Sequence, residues 1–196
     1  MHSPRTAVAL LALVVLVVSA CGVARIPLPG GGPAKPVDIP SGVADQPSRA
    51  AEPPDPDFPK PSAPFAAHFT DPLYHDEGEE LAPFGSDEGS DTLYGWVDRR
   101  HELNRCTTLR WMIEQDDPAG ALDDPADNGP DVDGFVVGAG FALILLTGHI
   151  DTEGKQLTLD ALHRTYSFYA DSRPREPAVM IRDLESFPAT DCTGGA

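Results

Sequence analysis

The feature that most restricts the fold of this chain is a run of prolines near its amino terminus. Residues 22–64 contain 12 Pro and five Gly in 43 positions, and their large apolar side chains are few: Ile26, Leu28, Ile39 and Phe58. Such a segment buries too little apolar surface to offset its ordering entropy, so the pattern predicts a disordered tether with polyproline bias. At about 3.1 Å per residue it would reach roughly 130 Å. A packed core is therefore expected only in residues 65–196.

The first 20 residues have the layout of an export signal. Arg5 lies in a short starting region, an apolar run covers residues 7–18, and the small Ser19 and Ala20 precede Cys21. The run is too short to cross a hydrocarbon core of about 30 Å, so a retained membrane span is not expected. The sequence predicts a signal peptide over residues 1–20.

Residues 18–22 read Val-Ser-Ala-Cys-Gly and resemble a bacterial lipobox. The resemblance implies that the Cys21 thiol receives a diacylglyceryl group and that a signal peptidase cuts just before it. Several acyl chains exceed what stable membrane anchoring requires. We therefore expect an extracytoplasmic, lipid-anchored protein in which residues 21–64 form the lipidated cysteine and its tether. The alternative is an ordinary secretory signal with a coincidental cysteine.

The charge balance excludes one class of partner. The chain has 31 acidic against 14 basic side chains and a formal net charge of −17. A nucleic-acid partner would need clustered Lys and Arg to neutralise its phosphates, so none is expected. The sequence also lacks a polybasic membrane patch, and the lipid is the only membrane contact that it predicts.

Residues 65–196 show helical rather than strand periodicity. Asp91 resembles an N-cap for a helix over 92–104, and residues 107–114 fit a helix better than a strand. A further helix is expected to begin at Thr152 and to stop before Pro174, and a last one begins near Pro177. The prediction is a mainly α domain of about four to five helices, with a loop at 116–134.

One predicted helix differs from the others because it has no polar face. Residues 135–146 form a continuous apolar run that contains Gly138, Ala139, Gly140 and Ala142. The run favours a central buried helix whose small residues let neighbouring helices approach closely. Gly148 is expected to cap its carboxyl end.

Four strings of this domain form a distinctive set. Residues 71–74 read Asp-Pro-Leu-Tyr, residues 81–91 read Leu-Ala-Pro-Phe-Gly-Ser-Asp-Glu-Gly-Ser-Asp, and two further strings cover 136–151 and 159–164. Together they resemble the YfeS-like group of uncharacterised bacterial proteins. The resemblance implies a helical domain and assigns no residue roles.

Cys106 and Cys192 form an even pair once Cys21 is lipidated. In an oxidising compartment such a pair favours a disulfide, which would stabilise the fold by roughly 4 kcal/mol in the chain-entropy model. Two free thiols, or a nucleophilic Cys106, are the alternatives.

Acidic side chains cluster in two places that calcium could use, since hard cations prefer oxygen ligands. One is the turn with Asp87, Glu88 and Asp91, to which His75 could add a ligand; the other is the loop with Asp131 and Asp133. The EF-hand template fails there, because its first and twelfth positions fall on glycines. An irregular calcium site and a solvated acidic surface both remain open, and no other cofactor is expected.

The common serine-nucleophile and zinc-peptidase motifs are missing from the sequence. The leading hypothesis is thus a non-enzymatic envelope lipoprotein whose domain contacts an envelope protein or polymer. The alternative is a calcium- or zinc-binding protein, or a metal-dependent enzyme, that uses the turn with Asp87, Glu88 and Asp91.

Overall fold

A computed structural model describes residues 36–47, 56–116, 122, 129–172 and 174–192. Within them the fold is helical and has no strand, as the sequence predicts. Its six α-helices are α1 (Ala63–His68), α2 (Asp87–Asp98), α3 (Leu109–Asp116), α4 (Pro130–Thr147), α5 (Thr152–Phe168) and α6 (Arg175–Ser186). Three short 3-10 helices lie at Pro72–His75, Arg100–Glu102 and Ala170–Ser172. The predicted signal peptide and Cys21 lie outside the described residues.

Helix α4 forms the centre of the domain. Every residue from 136 to 146 is buried, and the helix packs chiefly against α2 and α5, while α6 packs on α5. Within the described part of the chain, α4 is the one helix long and apolar enough to cross a membrane. It is buried over 67% of its length, as the core helix of a globular domain is, and the predicted central helix is confirmed.

Two glycines of α4 allow its neighbours to come close. A Cβ at Gly138 would lie 2.7 Å from the Gly89 Cα of α2, and one at Gly140 would lie 2.2 Å from the Thr158 Oγ1 of α5. Both distances are shorter than van der Waals contact. The predicted role of these small residues is confirmed.

The start of α2 differs from the prediction. The helix begins at Asp87 rather than Thr92, because Ser86, not Asp91, is the N-cap and its Oγ accepts from the Gly89 N–H at 3.1 Å. Gly89 lies inside the helix, at a position where a Cβ would meet the Pro83 carbonyl oxygen at 2.3 Å. Tertiary packing here overrides the low helix propensity of glycine.

Helix α4 also begins earlier than predicted. It starts at Pro130 after Gly129, so Asp131 and Asp133 belong to its first turn and not to a loop. Proline suits the first turn of a helix, because an N–H there would have no acceptor within the helix. The partial positive charge at the amino-terminal end of the helix stabilises the carboxylates. The carboxyl end agrees with the prediction: Gly148 adopts φ 83° and its N–H donates to the Ile144 carbonyl oxygen at 2.8 Å.

The predicted disordered tether is wrong for residues 36–47, which we call the strap. The strap lies against α5 and α6, and Val43 is only 4% exposed. The Val37 N–H donates to His163 Nδ1 at 3.4 Å, and Arg175 Nε donates to the Gln46 carbonyl oxygen at 2.7 Å. A proline-rich chain can therefore pack here with few apolar side chains, because the domain supplies partners for its backbone.

The segment just before α1 also belongs to the domain. Phe58 packs against Phe84 with ring centroids 5.9 Å apart, and the Ser62 N–H donates to the Leu145 carbonyl oxygen at 2.7 Å. The Ser62 hydroxyl caps α1 by accepting from the Phe65 N–H. The domain thus begins earlier than the predicted boundary at residue 65.

The close approach of α2 to α4 gives a stability prediction. We expect Gly138→Ala to lower the free energy of unfolding by about 1–3 kcal/mol, because the new methyl group meets backbone that cannot yield cheaply. The matched control is Gly95→Ala on α2, where a Cβ meets no atom within 4 Å. That variant should gain up to about 1 kcal/mol from helix propensity. Urea unfolding measures both; equal effects would contradict the packing argument.

Two histidines, of which His163 is buried and His75 is partly buried, give a pH prediction. Burial lowers the pKa of His75 and His163 below the ordinary value of 6.5. The unfolded chain then binds more protons than the folded one as the pH falls below about 6.5, so stability decreases in that range. We expect His163→Gln to reduce the dependence of Tm on pH, whereas His101→Gln, at an exposed position, should leave it unchanged. Equal pH profiles for wild type and His163→Gln would refute this assignment.

Candidate functional site

An open groove lies between the first turns of α2 and α4. It has a volume of about 560 Å³, and Glu88, Asp91 and Asp131 line it. These three carboxylates, two of which were predicted as part of one turn, come together because both helices start on the same side of the domain. None of them has a hydrogen bond or ion pair to another described residue.

The rest of the groove is mixed in character. Val132 and Phe135 of α4 contribute partly buried apolar surface. Arg99 lies at one end, where its guanidinium stacks 4.0 Å above the Trp96 ring and pairs with Asp116 at 2.6 Å. The groove therefore combines an apolar floor with an excess of negative charge, which attracts cationic groups.

Asp133 does not face this groove. Its carboxylate is 3% exposed and receives bonds from Arg164 Nε at 2.9 Å and Nη2 at 2.7 Å. Burial raises the pKa of the Asp133 carboxyl, and the contact with Arg164 opposes that rise. The ion pair joins α4 to α5, so this predicted metal candidate has a structural partner that spacing in the sequence could not reveal.

The remaining metal candidates are dispersed. Asp87 is exposed on the first turn of α2, and His75 packs against Phe58 with ring centroids 5.1 Å apart. Among the residues that the structure describes, no group of three or more His, Cys, Asp or Glu side chains is placed to hold a metal ion. The calcium or zinc site stays a prediction.

Cys106 and Cys192 are joined, with Sγ–Sγ 2.03 Å and Cα–Cα 5.4 Å, as the sequence predicts. The bond ties the carboxyl-terminal tail to the segment before α3. Two further contacts hold the same tail: the Thr190 N–H donates to the Ile150 carbonyl oxygen at 2.9 Å, and Asp191 accepts from the Thr152 N–H at 2.8 Å.

A buried carboxylate beside this tail caps two helices at once. Asp151 is 7% exposed; it accepts from the Gly154 N–H of α5 at 3.0 Å and from the Leu109 N–H of α3 at 2.8 Å. The first contact joins residues three positions apart, which is the usual spacing of an N-cap. The second joins residues 42 positions apart and has no local signal.

One serine and histidine lie close enough to suggest catalysis, but their geometry argues against it. Ser186 Oγ is 3.3 Å from His68 Nε2, and that nitrogen is also 2.8 Å from the Asp183 carbonyl oxygen. A carbonyl oxygen can only accept, so Nε2 carries a proton there and cannot act as a base toward Ser186. The pair links α1 to α6.

Comparison of the chain with protein-family models, with curated proteins and with solved structures finds no match. The resemblance to the YfeS-like group and to a lipobox therefore stays an expectation from the sequence.

The disulfide between the tail and the segment before α3 should make a large contribution to the stability of the domain. Reduction, or the Cys106→Ser/Cys192→Ser double variant, should lower the free energy of unfolding by about 4–5 kcal/mol, because the unfolded chain regains the entropy of a long loop. Thermal unfolding with and without reductant measures the loss. The double variant should not respond to reductant, and an unchanged Tm for reduced wild type would disprove the structural role.

Proposed function

We propose that this protein is an extracytoplasmic lipoprotein, anchored through Cys21, whose helical domain is a non-enzymatic interaction module. The observation that carries the proposal is the Cys106–Cys192 pair at disulfide distance. Both cysteines are exposed, so reductants of the cytoplasm would reach the bond. Such bonds persist in oxidising compartments, which is where an export signal and lipobox would deliver the chain.

The partner in this proposal is an envelope protein or polymer. The groove between α2 and α4 supports an interaction role because it offers apolar surface next to three carboxylates without partners among the described residues. Charge complementarity favours a partner that presents basic groups there. The chain itself has only 14 basic against 31 acidic residues, so a basic partner would balance charge that the chain does not balance itself.

The anchoring proposal predicts the fate of a cysteine variant. Wild-type protein should sediment with membranes, and mass spectrometry should find Cys21 acylated at a new amino terminus. Cys21→Ala should leave the chain uncleaved or soluble, because no thiol remains to carry the lipid. Cys106→Ser is a matched control that removes a cysteine without touching the anchor. Acylation or the new amino terminus at position 21 that survives Cys21→Ala would contradict the proposal, as would wild-type protein without acyl groups on Cys21.

The alternative of a metal-dependent protein gives a separate test. A ligand at 100 times its dissociation constant stabilises the native state by about 2.7 kcal/mol, which raises Tm by several degrees. An interaction module without a metal site should show no such rise with sub-millimolar calcium or zinc. A rise that is lost in Asp91→Asn/Asp131→Asn would favour the metal alternative.

A further inference from the structure

The groove between α2 and α4 is long enough to hold a short segment of another protein. On the α2 side its wall includes positions 88, 91, 95 and 99, which recur at helical spacing on one face. From 88 to 99 the helix rises about 16 Å, the length of about five residues of extended chain. Gly95, near the middle of this wall, has no side chain, and a Cβ there would meet no atom within 4 Å. The groove therefore has free space along α2.

A smaller pocket opens beside the groove at the same end of the domain. It has a volume of about 70 Å³, and Glu88 and Asp131 line it as well as the groove. Its other walls include Tyr169, which follows α5, and the buried apolar side chains of Leu162 and Met180. The groove and the pocket thus share two carboxylates, and each offers apolar surface beside them.

An exposed aromatic side chain lies next to this pocket. Phe168, the last residue of α5, is 66% exposed, and its ring centroid is 4.9 Å from that of Tyr169. Aromatic side chains are enriched in protein–protein interfaces relative to the rest of the surface. The region where α2 and α4 begin and α5 ends combines such apolar surface with unpaired negative charge. We call it the docking surface, formed by Glu88, Asp91, Asp131, Val132, Phe135 and Phe168.

We propose that the docking surface binds a segment of another envelope protein in which basic side chains flank an apolar one. The proposal rests on the interaction module proposed above and selects a protein from its two partner classes. The basic side chains pair with Glu88, Asp91 and Asp131, and the apolar side chain lies against Val132 and Phe135. The ion pairs give specificity and fast association, while the apolar contact contributes affinity.

Charge argues against the other occupants. The net charge of −17 repels an anionic polymer. Residues 117–128, which precede α4, contain four Asp and no Lys or Arg, so like charge disfavours them in the groove. A neutral glycan would partly bury the three carboxylates without supplying an opposite charge, which is unfavourable. A basic protein segment supplies that charge and covers the apolar surface at the same time.

The experiment measures binding of synthetic peptides to the complete Cys21→Ala chain by fluorescence anisotropy, with a chelator present to exclude metal ions. Two labelled peptides, Lys-Leu-Lys-Leu-Lys and Lys-Leu-Leu-Lys-Leu, present basic and apolar side chains at strand and helical spacing. We expect at least one to bind. Its version with Gln for Lys should bind about tenfold more weakly because the ion pairs are lost, and its version with Ser for Leu should also bind more weakly.

Two pairs of variants locate the binding. Asp91→Asn should weaken binding about threefold to fivefold, since it removes one ion pair. Its matched control, Asp98→Asn, removes the same charge at an exposed position of α2 outside the groove and should bind as the unaltered side chain does. Gly95→Lys should weaken binding at least tenfold without lowering Tm, because the new ammonium group lies one turn after Asp91 and competes with the peptide. Ala66→Lys adds the same charge at an exposed position of α1 and should leave binding unchanged.

Several outcomes would overturn the proposal. They are binding of neither peptide, equal binding of the Gln version, and binding that Asp91→Asn and Gly95→Lys leave intact or that the two controls weaken equally. Binding of dextran in place of the peptides, lost in Gly95→Lys, would assign the groove to a polymer instead. The tested chain carries no lipid, so these results are independent of the anchor. Wild-type protein without acylation at Cys21 would refute the lipoprotein, whereas failure of the peptides would refute this partner alone.

Discussion

Helix α4 leaves no face for water between residues 136 and 146, and the remaining elements of the domain are arranged to cover it. Its apolar surface provides the main driving force for folding, since burial of one large aliphatic or aromatic side chain contributes about 1.5–3 kcal/mol. The covering helices can approach closely only where α4 has no side chain. Gly138 admits α2 and Gly140 admits α5, so the same sequence run supplies both the burial and the close approach.

A helix buried in this way must also satisfy its last carbonyl groups inside the protein, because unpaired backbone groups away from water are costly. Two segments far from α4 in the sequence, and the residue directly after the helix, meet that need. Ser62 donates to the Ile144 and Leu145 oxygens, Arg100 Nη2 donates to the Leu146 oxygen at 2.9 Å, and the Gly148 N–H completes the cap at Ile144. The carboxyl end of α4 thereby fixes the positions of α1 and of the turn after α2.

Local patterns predicted the elements whose signals are local. The apolar run of α4, the positive-φ glycine after it, the start of α5 at Thr152 and the cysteine pair all follow from residue type and spacing. The predictions were wrong where contacts between residues far apart in the sequence determine the structure. Ser86 caps α2 at Gly89, which lies so close to the Pro83 carbonyl oxygen that no side chain fits there, and Asp133 has its ion-pair partner 31 positions away. The strap was missed for the same reason, because its partners are arginines of α6 rather than its own side chains.

Because basic residues are scarce, those that stabilise the fold are not available to balance the negative charge of the surface. The arginines of the described helices are largely engaged within the domain: Arg99 stacks on Trp96, Arg164 neutralises Asp133, and Arg175 pairs with Asp71 while also holding the strap. Few cations are left to balance the exposed carboxylates of the α2–α4 groove, so its negative charge follows from how the core is built. The strap avoids this competition, because Arg175 and Arg182 bind it largely through backbone carbonyl oxygens that any residue supplies. Its packing therefore depends on side-chain identity mainly at the apolar positions Val37, Ile39, Val43 and Ala44.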